Sequence, residues 1–267
     1  MEPNFDFRNV TGPLDIIGDV HGCIEELWEL LRVLGYSRET DDTISHSEGR
    51  RLVLLGDLAD RGPHNAEAFR LAMLWAERGQ ALYTPGNHCD KLKRYLQGRK
   101  RKLSQGLETT VVQVEEMEQS EPSFKERLRR FIEEAPLYLW LDQGRLVVAH
   151  GGIKEDMIGR ADGKVRTMVL YGDITGETNP DGTPVRLDWA KHYRREASIV
   201  YGHTPTAVPR WRNNTANIDQ GCVFGGWLTA LRWPEREFVQ VGAHHAYYTE
   251  RTPSFLVRRV HRLQSLH

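Results

Sequence analysis

The chain repeatedly places a short apolar run directly before a glycine and a charged residue. LDII is followed by Gly18 and Asp19, and RLVLL is followed by Gly56 and Asp57. Runs that are apolar throughout, rather than alternating, are typical of parallel strands that helices bury on both faces. In such sheets ligands bind just beyond the carboxyl ends of the strands. The pattern therefore predicts an α/β fold with polar side chains gathered at the ends of buried strands.

The segments between these runs predict helices. CIEELWELLRVLG (23–35) carries leucines at helical spacing, and residues 63–79 repeat that character after a proline. The stretch from about 103 to 135 is polar and mostly helical, and we interpret it as an insertion or cap rather than as core. Strand character returns in LYLWL, RLVVAHGG, IVYGHTP, LTALRW and FVQV. Strands and helices thus alternate, as expected for an α/β protein.

Composition limits the classes of protein that need to be considered. The 267 residues have a formal charge of −1 and 39% hydrophobic residues, which fits one large domain and gives no general attraction to nucleic acid or to an acidic membrane. No apolar stretch approaches the ~18 residues of a spanning helix, and the start lacks signal-peptide character. Cys23, Cys89 and Cys222 are odd in number and far apart, which argues against a disulfide framework. We expect a cytoplasmic protein with no membrane partner.

Five polar turns follow the predicted strands in order. They are GDVHG (18–22), GDLADRGP (56–63), GNH (86–88), HGG (150–152) and GHTP (202–205). Their candidate ligands are carboxylates, imidazoles and one amide, without a thiolate: Asp19, His21, Asp57, Asn87, His150 and His203. Such a set suits Mn, Fe or Zn and, less well, Mg. One such turn alone would be ordinary, but five in succession predict a shared metal site.

The order GDxHG, GDxxDRGP, GNH, HGG and GHTP, spanning residues 14–205, resembles the calcineurin-like metallophosphoesterases. The likeness is to the branch that includes phosphoprotein phosphatases and diadenosine tetraphosphatases. It implies a four-layer α/β/β/α sandwich, formed as a single domain over 1–267, with a helical insertion near 103–135. It also implies two divalent metal ions, with Mn²⁺ preferred and Fe, Zn, Ni or Co as alternatives.

The same resemblance assigns the metal ligands. Asp19, His21 and Asp57 would hold one ion, and Asp57 would bridge to a second ion held by Asn87, His150 and His203. Two divalent ions, less two carboxylates and a bridging hydroxide, leave a charge of about +1 that favours a phosphate dianion. The implied reaction is direct attack of that hydroxide on phosphate monoesters and diesters, without a covalent phosphoenzyme.

Further roles follow from the resemblance around these ligands. Arg61 would hold the substrate phosphate with a bidentate guanidinium, and Asn87 and His88 would also contact the substrate. His88 would protonate the leaving oxygen, while Asp60 would orient its ring and raise its pKa. Asp219 would lie at the metal site. The alternatives are an ion pair between Arg61 and Asp60, a packing role for His88 and a turn role for Asp219.

Three other stretches narrow the expected substrate. Residues 86–111, 171–194 and 213–241 resemble the phosphatase module of bacterial polynucleotide kinase-phosphatase, an RNA end-repair enzyme, although the chain carries no GxxxxGK[ST] loop. That likeness implies nucleotidic substrates, namely RNA 2′-phosphate or 2′,3′-cyclic phosphate ends. Diadenosine tetraphosphate and other dinucleoside polyphosphates are the nearest alternative. Phosphoproteins carrying phosphoserine or phosphothreonine come next, and a catalytically silent binding module comes last.

A basic run, KLKRYLQGRKRK (91–102), begins just past the third turn and holds seven Lys or Arg residues. Such a cluster can follow a nucleic-acid backbone, with Tyr95 available for stacking. A charge run is more often a solvated helix face. If the run binds a polyanion, activity on an oligonucleotide will depend more steeply on salt than activity on p-nitrophenyl phosphate.

Overall fold

The computed structural model describes residues 5–99, 103, 106–180 and 182–264. Within them the strands are β1 (Asp6–Phe7), β2 (Leu14–Ile17), β3 (Tyr36–Arg38), β4 (Ile44–His46), β5 (Arg51–Gly56), β6 (Ala81–Pro85), β7 (Leu139–Leu141), β8 (Leu146–Val148), β9 (Ile174–Thr178), β10 (Pro184–Arg186), β11 (Ser198–Tyr201), β12 (Arg210–Arg212), β13 (Thr215–Asn217), β14 (Asp219–Gln220), β15 (Trp227–Trp233) and β16 (Glu237–Gly242). The α-helices are α1 (Ile24–Leu34), α2 (Asn65–Glu77), α3 (Asn87–Leu96), α4 (Leu107–Ser120), α5 (Phe124–Glu134), α6 (Gly163–Tyr171) and α7 (Val257–Gln264).

Two large sheets carry the predicted strands. In one sheet β2, β5 and β6 run parallel in the order β6-β5-β2, and β15 joins β2 antiparallel with β14 and β16 paired to it. In the other sheet the order is β1-β7-β8-β11-β13-β12, with β8, β11 and β13 parallel. The first, second and third polar turns therefore leave one sheet, and the fourth and fifth leave the other.

The apolar runs are continuous because each sheet is buried on both faces. Leu14 and Ile16 of β2 pack between the sheets against residues such as Val148 and Val200. The intervening Ile17 faces the other way, into a cluster that α1 and α2 also form. Alternate side chains of one strand thus fill two different core layers.

The second sheet is covered on its outer face in the same manner. Val147 and Ile199 pack with Val165 and Val169 of α6 in a third buried cluster. Helices, two sheets and a further helix layer thus follow one another through the molecule. The predicted four-layer α/β/β/α class is confirmed.

The helical character predicted near 103–135 is confirmed by α4 and α5, although residues 104 and 105 lie outside the described residues; the interpretation of the segment as a cap rather than core is wrong. The apolar faces of α4 and α5 join the large cluster that α1 and α2 form on the first sheet. Phe124, Leu128 and Ile132 recur at four-residue spacing and are all buried. A single apolar stripe suffices to bury one helix face, so the polar composition of the segment concealed its place in the core.

None of the helices within the described residues has the length and apolar character that a membrane crossing requires.

Candidate metal centre

The five polar turns meet where the strand ends of the two sheets face each other, and glycines permit the close approach. Gly56 has φ +83°, and a Cβ atom there would lie 2.0 Å from His150 Nδ1. A Cβ on Gly86 would lie 2.1 Å from Asp57 Oδ1. Any larger residue would displace a candidate ligand, so these turns need glycine for reasons of space as well as conformation.

One buried group brings together Asp19, His21 and Asp57, whose ligand atoms all lie within 4.8 Å of one another. His21 Nδ1 lies 2.8 Å from the carbonyl oxygen of Ala59, to which it donates in the tautomer that leaves Nε2 as the ligand atom. A backbone acceptor of this kind fixes ring orientation in metal-binding histidines. The geometry fits the first ion site that the sequence implied.

A second group forms around His150 Nε2. This atom lies 3.0 Å from Asn87 Oδ1, 3.1 Å from His203 Nδ1 and 3.3 Å from Asp57 Oδ2. Two imidazole nitrogens, an amide oxygen and a carboxylate oxygen therefore converge on one point. Asp57 belongs to both groups and is therefore the candidate for a bridging ligand.

The electrostatics of the centre suit cations. Burial raises the pKa of Asp19 well above its ordinary value, and the neighbouring carboxylate of Asp219 adds to the shift. Asp19 Oδ1 is buried and has no hydrogen-bond partner among the described residues. A buried carboxylate oxygen without a partner is costly unless a cation meets it. The mixed oxygen and nitrogen donor set fits divalent transition ions such as Mn²⁺.

His88 and Asp60 form a buried pair beside this centre. Asp60 Oδ2 lies 2.5 Å from His88 Nδ1, and Thr110 Oγ1 donates to Asp60 Oδ1 at 2.6 Å. Asp60 thus orients the ring, as the sequence implied. That Asp60 raises the pKa of His88 stays a prediction, while burial lowers that pKa well below its ordinary value. Burial also raises the pKa of Asp60 to about 6, since low polarity disfavours both charged forms.

Arg61 occupies a strained turn that points it at the centre. Arg61 and Asp60 both have φ +73°, a region that non-glycine residues rarely adopt. Arg61 Nη1 donates to His21 Nε2 at 3.2 Å, and its buried Nε has no partner among the described residues. The alternative of an ion pair with Asp60 is not observed, because His88 and Thr110 occupy that carboxylate.

Asp219 lies next to Asp19 but belongs to neither ligand group of the described residues. Its Oδ1 accepts a hydrogen bond from the backbone N–H of Gly221 at 2.9 Å, as the turn interpretation requires. Burial raises its pKa to about 6. Asp219 therefore makes the hydrogen bond expected of a turn residue and also lies beside the metal centre.

Arg186, at the end of β10, is a candidate site residue that the sequence reasoning missed. Its Nε donates to the carbonyl oxygen of Tyr171 at 2.9 Å, and no carboxylate of the described chain is recorded in an ion pair with it. Burial lowers the pKa of the Arg186 guanidinium. Burial and the charge of His150 are the two largest causes of the lowered pKa of His203, and the positive charge of Arg186 lowers it further. An uncompensated cation near a metal ligand suits an anionic substrate.

The three cysteines are buried thiols, two of which meet despite their separation in sequence. Cys23 and Cys222 lie with Glu26 in a cluster whose candidate ligand atoms are within 4.8 Å of one another. Burial raises the pKa of Cys23, and the hydrogen bond with Cys23 raises that of Cys222. Protonated, buried thiols do not act as nucleophiles.

The basic run 91–102 is described as far as residue 99, and its last three residues lie outside the described chain. Lys93 and Arg94 pair with Asp90 at 3.1 and 2.6 Å. Arg166 of α6 also bonds to Asp90. Asp90 therefore neutralises part of the positive charge of the run, which favours a structural role for the first residues of the run.

Comparison with known proteins decides the family. The model of the calcineurin-like phosphoesterases matches residues 12–240. The chain belongs to the calcineurin-like phosphoesterases. As a member of this family it is a metal-dependent phosphoester hydrolase.

Relatives of this phosphoesterase cover almost its whole length. It is 53% identical over 245 residues to bis(5′-nucleosyl)-tetraphosphatase PrpE (asymmetrical) of Anoxybacillus flavithermus (strain DSM 21510 / WK1), covering 90% of this chain and 98% of that protein. The same enzyme of Geobacillus sp. (strain WCH70) is 51% identical, with coverage of 91% and 99%.

Solved structures agree with this assignment. A protein assigned as a diadenosine tetraphosphatase superposes on the phosphoesterase with a TM-score of 0.64 at 25% identity, covering 89% of this chain and 96% of that one. A protein serine/threonine phosphatase from Saccharomyces cerevisiae has a TM-score of 0.57 at 14% identity, covering 93% and 84%, and shares the fold.

Proposed function

We propose that this phosphoesterase hydrolyses bis(5′-nucleosyl) tetraphosphates asymmetrically, giving a nucleoside monophosphate and a nucleoside triphosphate. The proposal is carried by relatives of that name, which are more than half identical over nearly the full length of both chains. These relatives support the dinucleoside polyphosphate alternative more strongly than our first interpretation, RNA 2′-phosphate or 2′,3′-cyclic phosphate ends.

The proposed metal ligands are those that the structure brings together. Asp19, His21 and Asp57 form one set, and the second set adds three residues to Asp57: Asn87, His150 and His203. Two divalent ions held by these residues, with Mn²⁺ preferred, would lower the pKa of a water molecule and would offset the negative charge of the phosphate oxygens.

The remaining side chains of the site act on the substrate itself. Arg61 and Arg186 bring two positive charges to the centre, have no carboxylate partner among the residues that the structure describes, and would bind the oxygens of the polyphosphate chain. His88, held by Asp60 at 2.5 Å, is placed to pass a proton to the leaving phosphate oxygen. Asp60, whose pKa burial raises to about 6, can share that proton. Asn87 and His88 also contact the phosphate undergoing attack.

The experiment compares three substrates with Mn²⁺ at matched concentrations: diadenosine tetraphosphate, 2′,3′-cyclic AMP and a phosphoserine peptide. We expect the highest kcat/KM with diadenosine tetraphosphate, and AMP and ATP as the products on ion-exchange chromatography. Formation of ADP alone would contradict asymmetric cleavage. A higher kcat/KM for the cyclic nucleotide would restore the RNA-end interpretation.

A further inference from the structure

A cavity of about 480 Å³ lies next to the metal centre, and none of the roles above uses most of it. Gly151, Gly202 and His203 line the part of it nearest the candidate ligands. The rest is lined by residues just before β9, by residues that end or follow β10 and β11, and by residues of β12 and β13. Its volume falls within the ~300–1,000 Å³ typical of small-molecule sites. Because His203 forms part of both the centre and the cavity wall, a substrate held at the centre can extend into this space.

The cavity carries positive charge where a phosphate chain would enter it. Arg186, Arg210 and Arg212 all line it. Arg212 is neutralised by Asp188 at 2.7 Å, whereas neither Arg186 nor Arg210 has a recorded carboxylate partner within the described ranges. Arg186 is partly buried and Arg210 is exposed. Guanidinium groups without a counter-ion favour phosphate oxygens.

The rim of the same cavity is apolar and exposed. Leu187 and Val208 are 57% and 61% exposed, the highest values among the large hydrophobic residues that the structure describes as exposed. Both line this one cavity, although they come from separate loops. Scattered exposed apolar residues are ordinary, but two at one mouth indicate a surface for an apolar ligand group.

Trp189 packs against its neighbours and so fixes the position of the apolar wall. Its ring packs on Gly152, where a Cβ atom would lie 2.1 Å from the ring, and its centroid is 4.9 Å from that of Tyr201. The wall is therefore held in place by packing rather than by loop conformation alone. A flat aromatic base is the group that such a wall accommodates.

We infer that the cavity bounded by Arg186, Leu187, Trp189, Val208 and Arg210, here the distal cavity, binds one nucleoside of a dinucleoside polyphosphate. The phosphate chain passes the arginines, and the base lies against Leu187 and Val208. This inference rests on the proposed function and adds to it the part of the chain that recognises the second nucleoside. It explains how a general phosphoesterase centre selects a substrate with two nucleosides.

The test is the double variant Leu187→Ala/Val208→Ala, assayed with diadenosine tetraphosphate and with p-nitrophenyl phosphate, which has no nucleoside. We expect KM for diadenosine tetraphosphate to rise roughly 5- to 10-fold, because two apolar contacts with the base are lost. The kcat/KM for p-nitrophenyl phosphate should stay within about 2-fold. The matched control is Val33→Ala/Val112→Ala, whose side chains are 50% and 55% exposed elsewhere.

The outcomes separate this inference from the proposed function. An unchanged KM for diadenosine tetraphosphate in the cavity variant, with an active wild type, would overturn the inference and leave the proposed function standing. Equal losses on both substrates would also overturn it, since they indicate a structural effect. A wild type that cleaves p-nitrophenyl phosphate but not diadenosine tetraphosphate would defeat the proposed function and this inference with it.

Discussion

Asp57 is the side chain on which most of the centre depends. Its Oδ1 accepts the backbone N–H of His88 at 2.9 Å, and its Oδ2 lies 3.3 Å from His150 Nε2. Burial is the largest single effect and acts to raise its pKa, but the combined interactions with His150, His88 and His21 hold the pKa well below the ordinary value. A carboxylate that stays ionised in a buried site can serve two cations at once.

Asp57→Ala should therefore reduce kcat/KM by roughly 10³-fold or more, because several kcal/mol of charge stabilisation in the transition state are lost. The rate is measured with diadenosine tetraphosphate and with p-nitrophenyl phosphate, alongside the metal content of the purified protein. The control is Asp6→Ala, which removes an exposed carboxylate paired with Arg8. Wild-type turnover in the Asp57 variant would overturn the site assignment.

Among individual residues, the sequence predicted the candidate metal ligands, but not every residue and pKa shift around them. The ligands could be predicted because each follows a strand end within a short local motif, such as GNH or GHTP. Arg186 carries no such signal, since it reaches the centre only through the position of the β9–β10 hairpin. The lowering of the pKa of His88 by burial could not be predicted, because burial depends on what packs over the turn, which local sequence does not reveal.

The helices and strands could be predicted from the sequence wherever their hydrophobic periodicity was clear. Strands β2, β5 and β6 and helices α1 and α2 were predicted because their apolar residues form unbroken runs or regular helical faces. The pair α4 and α5 was misjudged as a cap, because most of its residues are polar and its burial depends on one narrow stripe. The helical layer over the first sheet is thus larger than the sequence indicated.

Leu128→Ala should show that α5 belongs to the core. The side chain is fully buried in the large cluster, so its loss should lower the free energy of unfolding by about 2–5 kcal/mol. Equilibrium unfolding in urea measures the change. The control Val112→Ala, on the exposed side of α4, should change stability by less than about 0.5 kcal/mol. Similar values for the two variants would contradict the assignment of α5 to the core.

The loop after β16 is joined to α1 by a histidine that pairs with two glutamates. His244 Nε2 lies 2.8 Å from Glu29 and its Nδ1 lies 3.3 Å from Glu25. The hydrogen bond with Glu29 is the main cause of its raised pKa. A histidine with a raised pKa stabilises the fold at pH values below about 6.5, its ordinary pKa. That stabilisation is lost as the pH rises through the folded-state pKa.

His244→Gln should therefore lower Tm more at about pH 5.5 than at about pH 8.5, on either side of the ordinary pKa of ~6.5. The difference will be small, because the side chain is 37% exposed and solvent screens the pairs. Thermal unfolding followed by circular dichroism at the two pH values measures it, and His192→Gln is the exposed control. An equal loss at both pH values would show that the contact acts by packing alone.

On the scale of the whole molecule, the candidate centre lies across the junction of the two sheets. Asp19, Asp57 and Asn87 follow strands of the first sheet, whereas His150 and His203 follow strands of the second. Ions bound by both groups would therefore link the sheets as well as serve catalysis. Without them, buried carboxylates such as Asp19 and Asp219 repel each other. Stability and activity should then depend on the same ions.

Removal of divalent ions with EDTA should lower Tm, and addition of Mn²⁺ should restore it. Ligand binding to the native state adds about 2.7 kcal/mol at a free concentration 100 times Kd, so the shift should grow with the Mn²⁺ concentration. The control is Asp57→Asn, which keeps the side-chain volume but removes the charge shared by both groups. Its Tm should respond to Mn²⁺ much less than that of the wild type. If Tm of the wild type is unchanged by chelation and by Mn²⁺, the ions do not link the two sheets, because a ligand that binds the native state across their junction must stabilise it.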